Sequence, residues 1–152
     1  MTNTNFIPII IGTDMNAYNM AISFHEEYGI NPILVGKEPL SFTSLSSIIR
    51  IIELNPRLPE KQVFVSFLKE IAKKYAEPGK KMLLIGTNDL YVRIIIENAD
   101  ELKSHFVFNY ISEPLMNDVL VKSNFYKLCA EHGIEAPATY FYSCRDEKPF
   151  AE

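Results

Sequence analysis

Cysteine is scarce in this sequence. Cys129 and Cys144 are the two cysteines in 152 residues, too few and too far apart for a disulfide framework or a zinc knuckle, and they read as reduced thiols of a reducing cytosol. An excess of basic charge is also missing. Fifteen Lys and Arg stand against nineteen Asp and Glu, a net charge of −4, which offers no footprint for nucleic acid or for an anionic membrane. Long hydrophobic runs are missing too. The apolar run Phe6 to Ile11 is short, lacks a basic lead-in and gives way to polar residues, so it is neither a signal peptide nor a membrane span. No Asn-x-Ser/Thr sequon occurs, and a cytoplasmic protein is expected.

Several chemical signatures are absent as well. Gly12 has no partner glycines in G-x-G-x-x-G spacing, and neither a P-loop nor a G-x-S-x-G elbow occurs. Asp14 lacks the second acid that a receiver domain would place beside it. His25, His105 and His132 have neither metal-ligand nor triad spacing. No catalytic residue and no metal ligand is assigned to the chain on this reading.

What is present is ordinary globular material, 47% apolar, 12% aromatic and 22% charged. A chain of this length buries roughly 68–70% of its unfolded surface without a staple. Phe6 to Ile11 has the continuous apolar character of a strand buried on both faces. Asp14 to Tyr28 follows as a helix whose inward face is expected at Met15, Tyr18, Ala21, Ile22 and His25, with Gly29 as the stop. Pro32 to Val35 is a second buried strand, so the unit is β–α–β with a parallel sheet. Thr43 to Ser47 reads as loop and Ile48 to Leu54 as a third strand. Glu60 to Tyr75 is an amphipathic helix with the stripe Phe64, Phe67, Leu68, Ile71 and Tyr75, and Glu70 stands four residues before Lys74. Lys81 to Ile85 is a fourth strand, Asp89 to Asn98 a helix and Phe106 to Phe108 a short fifth strand.

The fold class that follows is α/β: an open, mostly parallel, five-stranded sheet of Rossmann-like type with helices on both faces. After residue 111 the texture changes. Glu113-Pro114 starts a helix, Asn117 to Val121 reads as a break, and Lys122 to His132 is a helix with Phe125, Leu128 and Cys129 inward and Gly133 as the stop. Pro137 to Tyr142 is strand-like. The expected organisation is a sheet domain over 1–111 and a junction segment over 112–152, cut from something longer.

One internal echo stands out. Ile11-Gly12-Thr13-Asp14 ends the first strand and Ile85-Gly86-Thr87-Asn88-Asp89 ends the fourth. Each joins a strand to a helix through a glycine, a hydroxyl and a capping polar group. In a doubly wound sheet these strands are neighbours, and the crevice at their carboxyl ends is where such folds bind ligands. The candidate substrate-contacting residues are Gly12, Thr13, Asp14, Asn16, Gly86, Thr87, Asn88 and Asp89. Two helix N-termini there would favour an anion. The plainer alternative makes both turns strand-to-helix joints and nothing more.

The run from Val121 to Thr139 resembles the junction at which ATP-grasp ligases pass from a preceding α/β domain to the nucleotide-binding domain. Lys122, Gly133, Ile134, Pro137 and Thr139 fit it in order and spacing, while Val121 stands where that junction carries aspartate. The opening, Phe6 to Ser23 with Ile33 to Lys37, resembles the front (pre-ATP-grasp) domain of carboxylate–amine ligases of the D-aspartate ligase type. The resemblance implies an ATP-dependent ligase that activates a carboxylate as an acyl phosphate, with ATP and Mg2+ in the full-length protein and an amino-acid or peptide-like substrate. It implies a nucleotide-side role for Lys122 and a C-terminal ATP-grasp domain beyond this chain. The fragment alone is then expected to be inactive, with no cofactor tightly bound. The rival is a non-catalytic Rossmann-like module that binds a small anionic metabolite.

Overall fold

The structure, a computed structural model, describes residues 4–140. Its elements are β1 (Phe6–Ile11), α1 (Met15–Tyr28), β2 (Ile33–Gly36), α2 (Ser41–Ser44), β3 (Ile51–Leu54), α3 (Lys61–Tyr75), β4 (Lys81–Gly86), α4 (Asp89–Glu97), α5 (Ala99–Leu102), β5 (Phe106–Val107), α6 (Glu113–Leu120) and α7 (Lys122–Glu131). The chain divides into two compact units, residues 1–110 and 111–152.

All strand pairs in the first unit are parallel, in the order β3-β2-β1-β4-β5. β1 lies at the centre, with Ile9, Ile10 and Ile11 fully buried, each stabilising the fold by roughly 1.5–3 kcal/mol. Its side chains alternate between faces. Ile7, Ile9 and Ile11 meet α3, α4 and α5 through Phe64, Leu68, Ile94 and Leu102, whereas Ile10 meets α1 through Ala17, Ala21 and Phe24. Helices therefore cover both faces.

A proline in a central strand needs an explanation, because it removes a ladder donor. The Gly12 N–H donates to the Val35 carbonyl at 2.8 Å, so even-numbered residues of β1 aim their N–H side at β2. Pairing with β2 starts only at Ile9↔Ile33. Pro8 thus sits where that side of β1 has no partner strand, and its pairing with Leu83 of β4 is undisturbed.

Four strands run four to six residues, and the fifth amounts to two residues at the edge. The expected set of five full strands is reduced because the chain leaves the ladder after Val107. Phe108 and Tyr110 fold onto the core instead. β3 begins at Ile51 rather than Ile48. The expected loop at Thr43 contains the single turn α2, which buries Thr43 and lets its hydroxyl donate to the Thr13 carbonyl at 2.9 Å. α5 was not expected at all.

The inward face of α1 differs from expectation. Met15 is 53% exposed and His25 is exposed, while Ala17, Ala21 and Phe24 are buried. Asp14 as N-cap sets the phase of the helix, and the two alanines let it lie close over Ile10 and Leu34. Phe24 and Tyr28 then gather on Phe6, with ring centroids 6.1 and 5.4 Å from it.

The Glu70–Lys74 pair suggested by spacing does not form. Lys74 instead donates to Glu53 on β3 at 2.7 Å, and the Tyr75 hydroxyl donates to the same carboxylate oxygen. Glu53 is only 18% exposed, so this acceptor competes less with water than Glu70 would. Burial pushes the Glu53 pKa up, but the hydrogen bonds from Lys74 and Tyr75 outweigh it and leave the carboxyl below its ordinary value. A lowered folded-state pKa gives stability above the unfolded value that is lost as pH falls through the folded one. The melting temperature should therefore drop on acidification below about pH 4. Glu53→Gln should flatten part of that drop in thermal melts, and an unchanged pH slope would show that the triad contributes nothing.

In the second unit α6 runs unbroken to Leu120, so the expected break narrows to the single residue Val121. Cys129 is buried as a free thiol and Leu128 is half-buried, but Phe125 is exposed rather than inward. After Gly133, residues 134–140 form no strand. The remainder of the strand expected over Pro137 to Tyr142, and Cys144, lie outside the described residues.

Candidate functional site

Both turns begin where strands of the central pair end. Ile11 and Gly86 are register partners, so the two chains leave the sheet side by side at its carboxyl edge. Gly12 has φ +142°, and a Cβ there would lie 2.1 Å from Thr87 Oγ1, so a side chain has neither the conformation nor the room. Thr87 fastens the two turns: its N–H and its hydroxyl both donate to the Ile11 carbonyl, at 3.1 and 2.9 Å. The Asn16 amide adds a bond to the Thr87 carbonyl at 3.3 Å. A Cβ on Gly86 would meet the Val92 backbone nitrogen at 3.0 Å, and the Gly86 N–H donates to the Tyr110 hydroxyl at 2.8 Å.

The caps take the form the sequence suggests. Asp14 accepts from the Ala17 N–H and Asn88 from the Tyr91 N–H, both at 3.0 Å, each worth about 1 kcal/mol of helix stability. Thr13 turns elsewhere. It is buried, and its hydroxyl donates to the Glu38 carbonyl at 2.8 Å, just past the end of β2. Its hydroxyl hydrogen is thus engaged inside the fold.

Of the eight candidates, Gly12 and Asn16 both meet Thr87, and Gly86 is the register partner of Ile11 just before Gly12. Asp14, Asn88 and Asp89 stand at the adjoining helix starts, and Thr13 faces the end of β2. Lys122 is the exposed first residue of α7, in the second unit.

Charge at these turns runs against the expectation of an anion. Asp14, Glu38 and Asp89 form no ion pair among the described residues. Lys37, beside Glu38, is the basic residue of the same strand ends. Each helix start already carries its own acid, which favours an amine or a zwitterion over a bare anion.

The similarity is to a ligase. Over 138 residues the chain is 36% identical to the D-aspartate ligase of Enterococcus faecium (strain Aus0004), a stretch that takes in 90% of this chain and 32% of that protein. The chain thus spans about a third of the length of the curated relative it matches. No protein-family model matches it.

Among the described residues no group of three or more His, Cys, Asp or Glu is placed to hold a metal. No described helix is long and apolar enough to cross a membrane.

Three residues at the turns were not singled out from sequence: Glu38, Tyr91 and Tyr110. Tyr91 stands three residues after Asn88, inside an apolar helix start where it reads as core. Tyr110 lies in coil four residues past the start of β5, with no periodicity to mark it.

Proposed function

We propose that this chain forms the sheet domain, with the first helices of a junction, of an ATP-dependent carboxylate–amine ligase of the D-aspartate ligase kind. The observation that carries this reading is the 36% identity sustained over 138 residues, 90% of this chain. The twin turns at the switch point of the sheet agree with it, since such folds place ligands there. In this reading the domain holds and orients an amino-acid or peptide-like substrate in a cytoplasmic enzyme. Activation of the carboxylate as an acyl phosphate belongs to parts that carry ATP and magnesium. No step of that chemistry is derived from the described residues of this chain, which gather no group of three or more metal-binding side chains.

A chimera tests the reading. This chain would replace the matching segment of the Enterococcus faecium D-aspartate ligase, and the product would be checked for folding by circular dichroism. The chimera should release ADP only when a carboxylate and an amine acceptor are both present, while the 152-residue chain alone should release none. A folded chimera without coupled ADP release would defeat the proposal. Lys122→Met in an active chimera should raise the KM for ATP roughly tenfold or more, as loss of a charged hydrogen-bond donor to phosphate would. An unchanged KM would make Lys122 a solvated helix-start residue.

A further inference from the structure

The connection from β2 to β3 leaves part of the sheet bare. A parallel crossover takes a dozen or more residues and is usually an α-helix laid on the sheet. Here it carries only the four-residue turn α2, so β3 has little cover on the side where Ile52 packs beside α1. Leu40, Phe42, Leu45, Ile51 and Leu54 are all exposed on this stretch. An open groove of about 340 Å3 lies among them, with Pro39, Ile49, Ile52 and Leu54 in its wall and no charged side chain lining it.

β3 is also an outer strand of the sheet. Val35 turns its carbonyl to β1, where it accepts from Gly12, so Leu34 and Gly36 turn theirs to β3, and Gly36 accepts from Asn55. In a slanted parallel ladder the bonds go to the neighbours of each register partner. Ile52 and Leu54, the partners of Leu34 and Gly36, therefore aim their own N–H and C=O groups away from the sheet. No hydrogen bond from outside the ladder reaches them among the described residues. Native sheets guard such an edge with charge, proline or a bulge. β3 reads Ile-Ile-Glu-Leu, and its one charge, Glu53, is held on the opposite face by Lys74 and Tyr75. The edge is unguarded.

We propose that two copies of this chain join here, their β3 strands pairing antiparallel across a two-fold axis so that the two five-stranded sheets become one. A two-fold contact uses the same patch on both subunits, so the patch must complement itself. This one does. Ile52 and Leu54 turn outward equal numbers of N–H donors and C=O acceptors. Beside them the uncharged groove accompanies a projecting apolar side chain, Leu45, 92% exposed between the lining residues Ser44 and Ser46. A charged ligand would find no counter-charge in that groove. A four-residue strand with one apolar patch makes a contact at the small end of specific interfaces, below about 1,200 Å2 in total. Dissociation in the micromolar range is therefore expected. The inference does not rest on the ligase reading.

Sedimentation velocity of the 152-residue chain from about 1 to 500 µM tests it. The mass should rise with concentration from 17.4 kDa toward twice that value. Leu45→Asp puts a charge on the rim at a position too exposed to affect the melting temperature. Leu54→Pro removes an outward N–H and none of the bonds to β2. Each should weaken the dimer roughly tenfold or more, the loss of a buried apolar contact or of a strand-pairing bond. Val107→Lys, exposed on β5 at the far edge of the sheet, should leave the dimer unchanged. A chain that stays at 17.4 kDa across the range would overturn the inference, as would a dimer indifferent to Leu45→Asp or equally weakened by Val107→Lys. A dimer that survives in a folded Leu54→Pro would overturn the strand pairing, and if that variant fails to fold, Leu45→Asp decides.

Discussion

Gly12→Val should cost the chain a large part of its stability. The backbone there has φ +142°, and a Cβ would lie 2.1 Å from Thr87 Oγ1. Backbone strain of this kind costs roughly 1–3 kcal/mol and overpacking roughly 1–3 kcal/mol more. Relief by moving Thr87 is not free, because Thr87 carries the two bonds to the Ile11 carbonyl that join the turns. Against a total stability of about 5–15 kcal/mol, the melting temperature should fall by roughly 10 °C or more. Gly12→Ala combined with Thr87→Ala removes the clash but keeps the strain, so it should recover part of the loss. A Gly12→Val melting temperature within about 2 °C of wild type would show that the turn is not built as described.

Glycine 86 requires a different expectation from the one its echo of Gly12 suggests. As a ligand-approach glycine its replacement by valine would mainly impair binding. The structure instead seats Val92 against it and uses its N–H for Tyr110, so the substitution should impair folding as well. The two turns look alike as text and differ in what surrounds them.

That difference marks what was legible in the sequence. β1 is readable because burial on both faces leaves no polar position from Phe6 to Ile11. The α3 stripe is readable because Phe64, Leu68 and Ile71 repeat with the helical period above a polar face. The face of α1 is not, because small alanines carry the contact and larger residues face outward. Lys74 was misassigned for a related reason: spacing along the helix offers Glu70, whereas the less exposed acceptor lies on a strand 21 residues away.

The site was legible to a similar depth. Strand order and the repeated Gly-Thr pair bring the two turns together, and the capping residues follow from local chemistry alone. Which hydroxyls remain available depends on partners distant in sequence. Thr13 and Glu38 are 25 residues apart, and Thr87 and Ile11 are 76 apart. Thr13, the more prominent candidate by motif, turns out to be engaged.

Phe64→Ala should cause a large loss of stability. Phe64 is fully buried among Ile9, Leu58, Leu68 and Ile95, and a phenylalanine truncated in such a core costs about 3–5 kcal/mol. For a chain of this size that is a fall in melting temperature of roughly 10 °C. Phe67→Ala on the same helix, where the ring is only partly buried, should cost distinctly less. Phe64 is also the ring on which Tyr91 stacks at the start of α4. The milder Phe64→Leu keeps most of the volume, so it should remain folded and lose distinctly less stability than Phe64→Ala. Equal stability of the Phe64 and Phe67 alanine variants would deny Phe64 its place in the core.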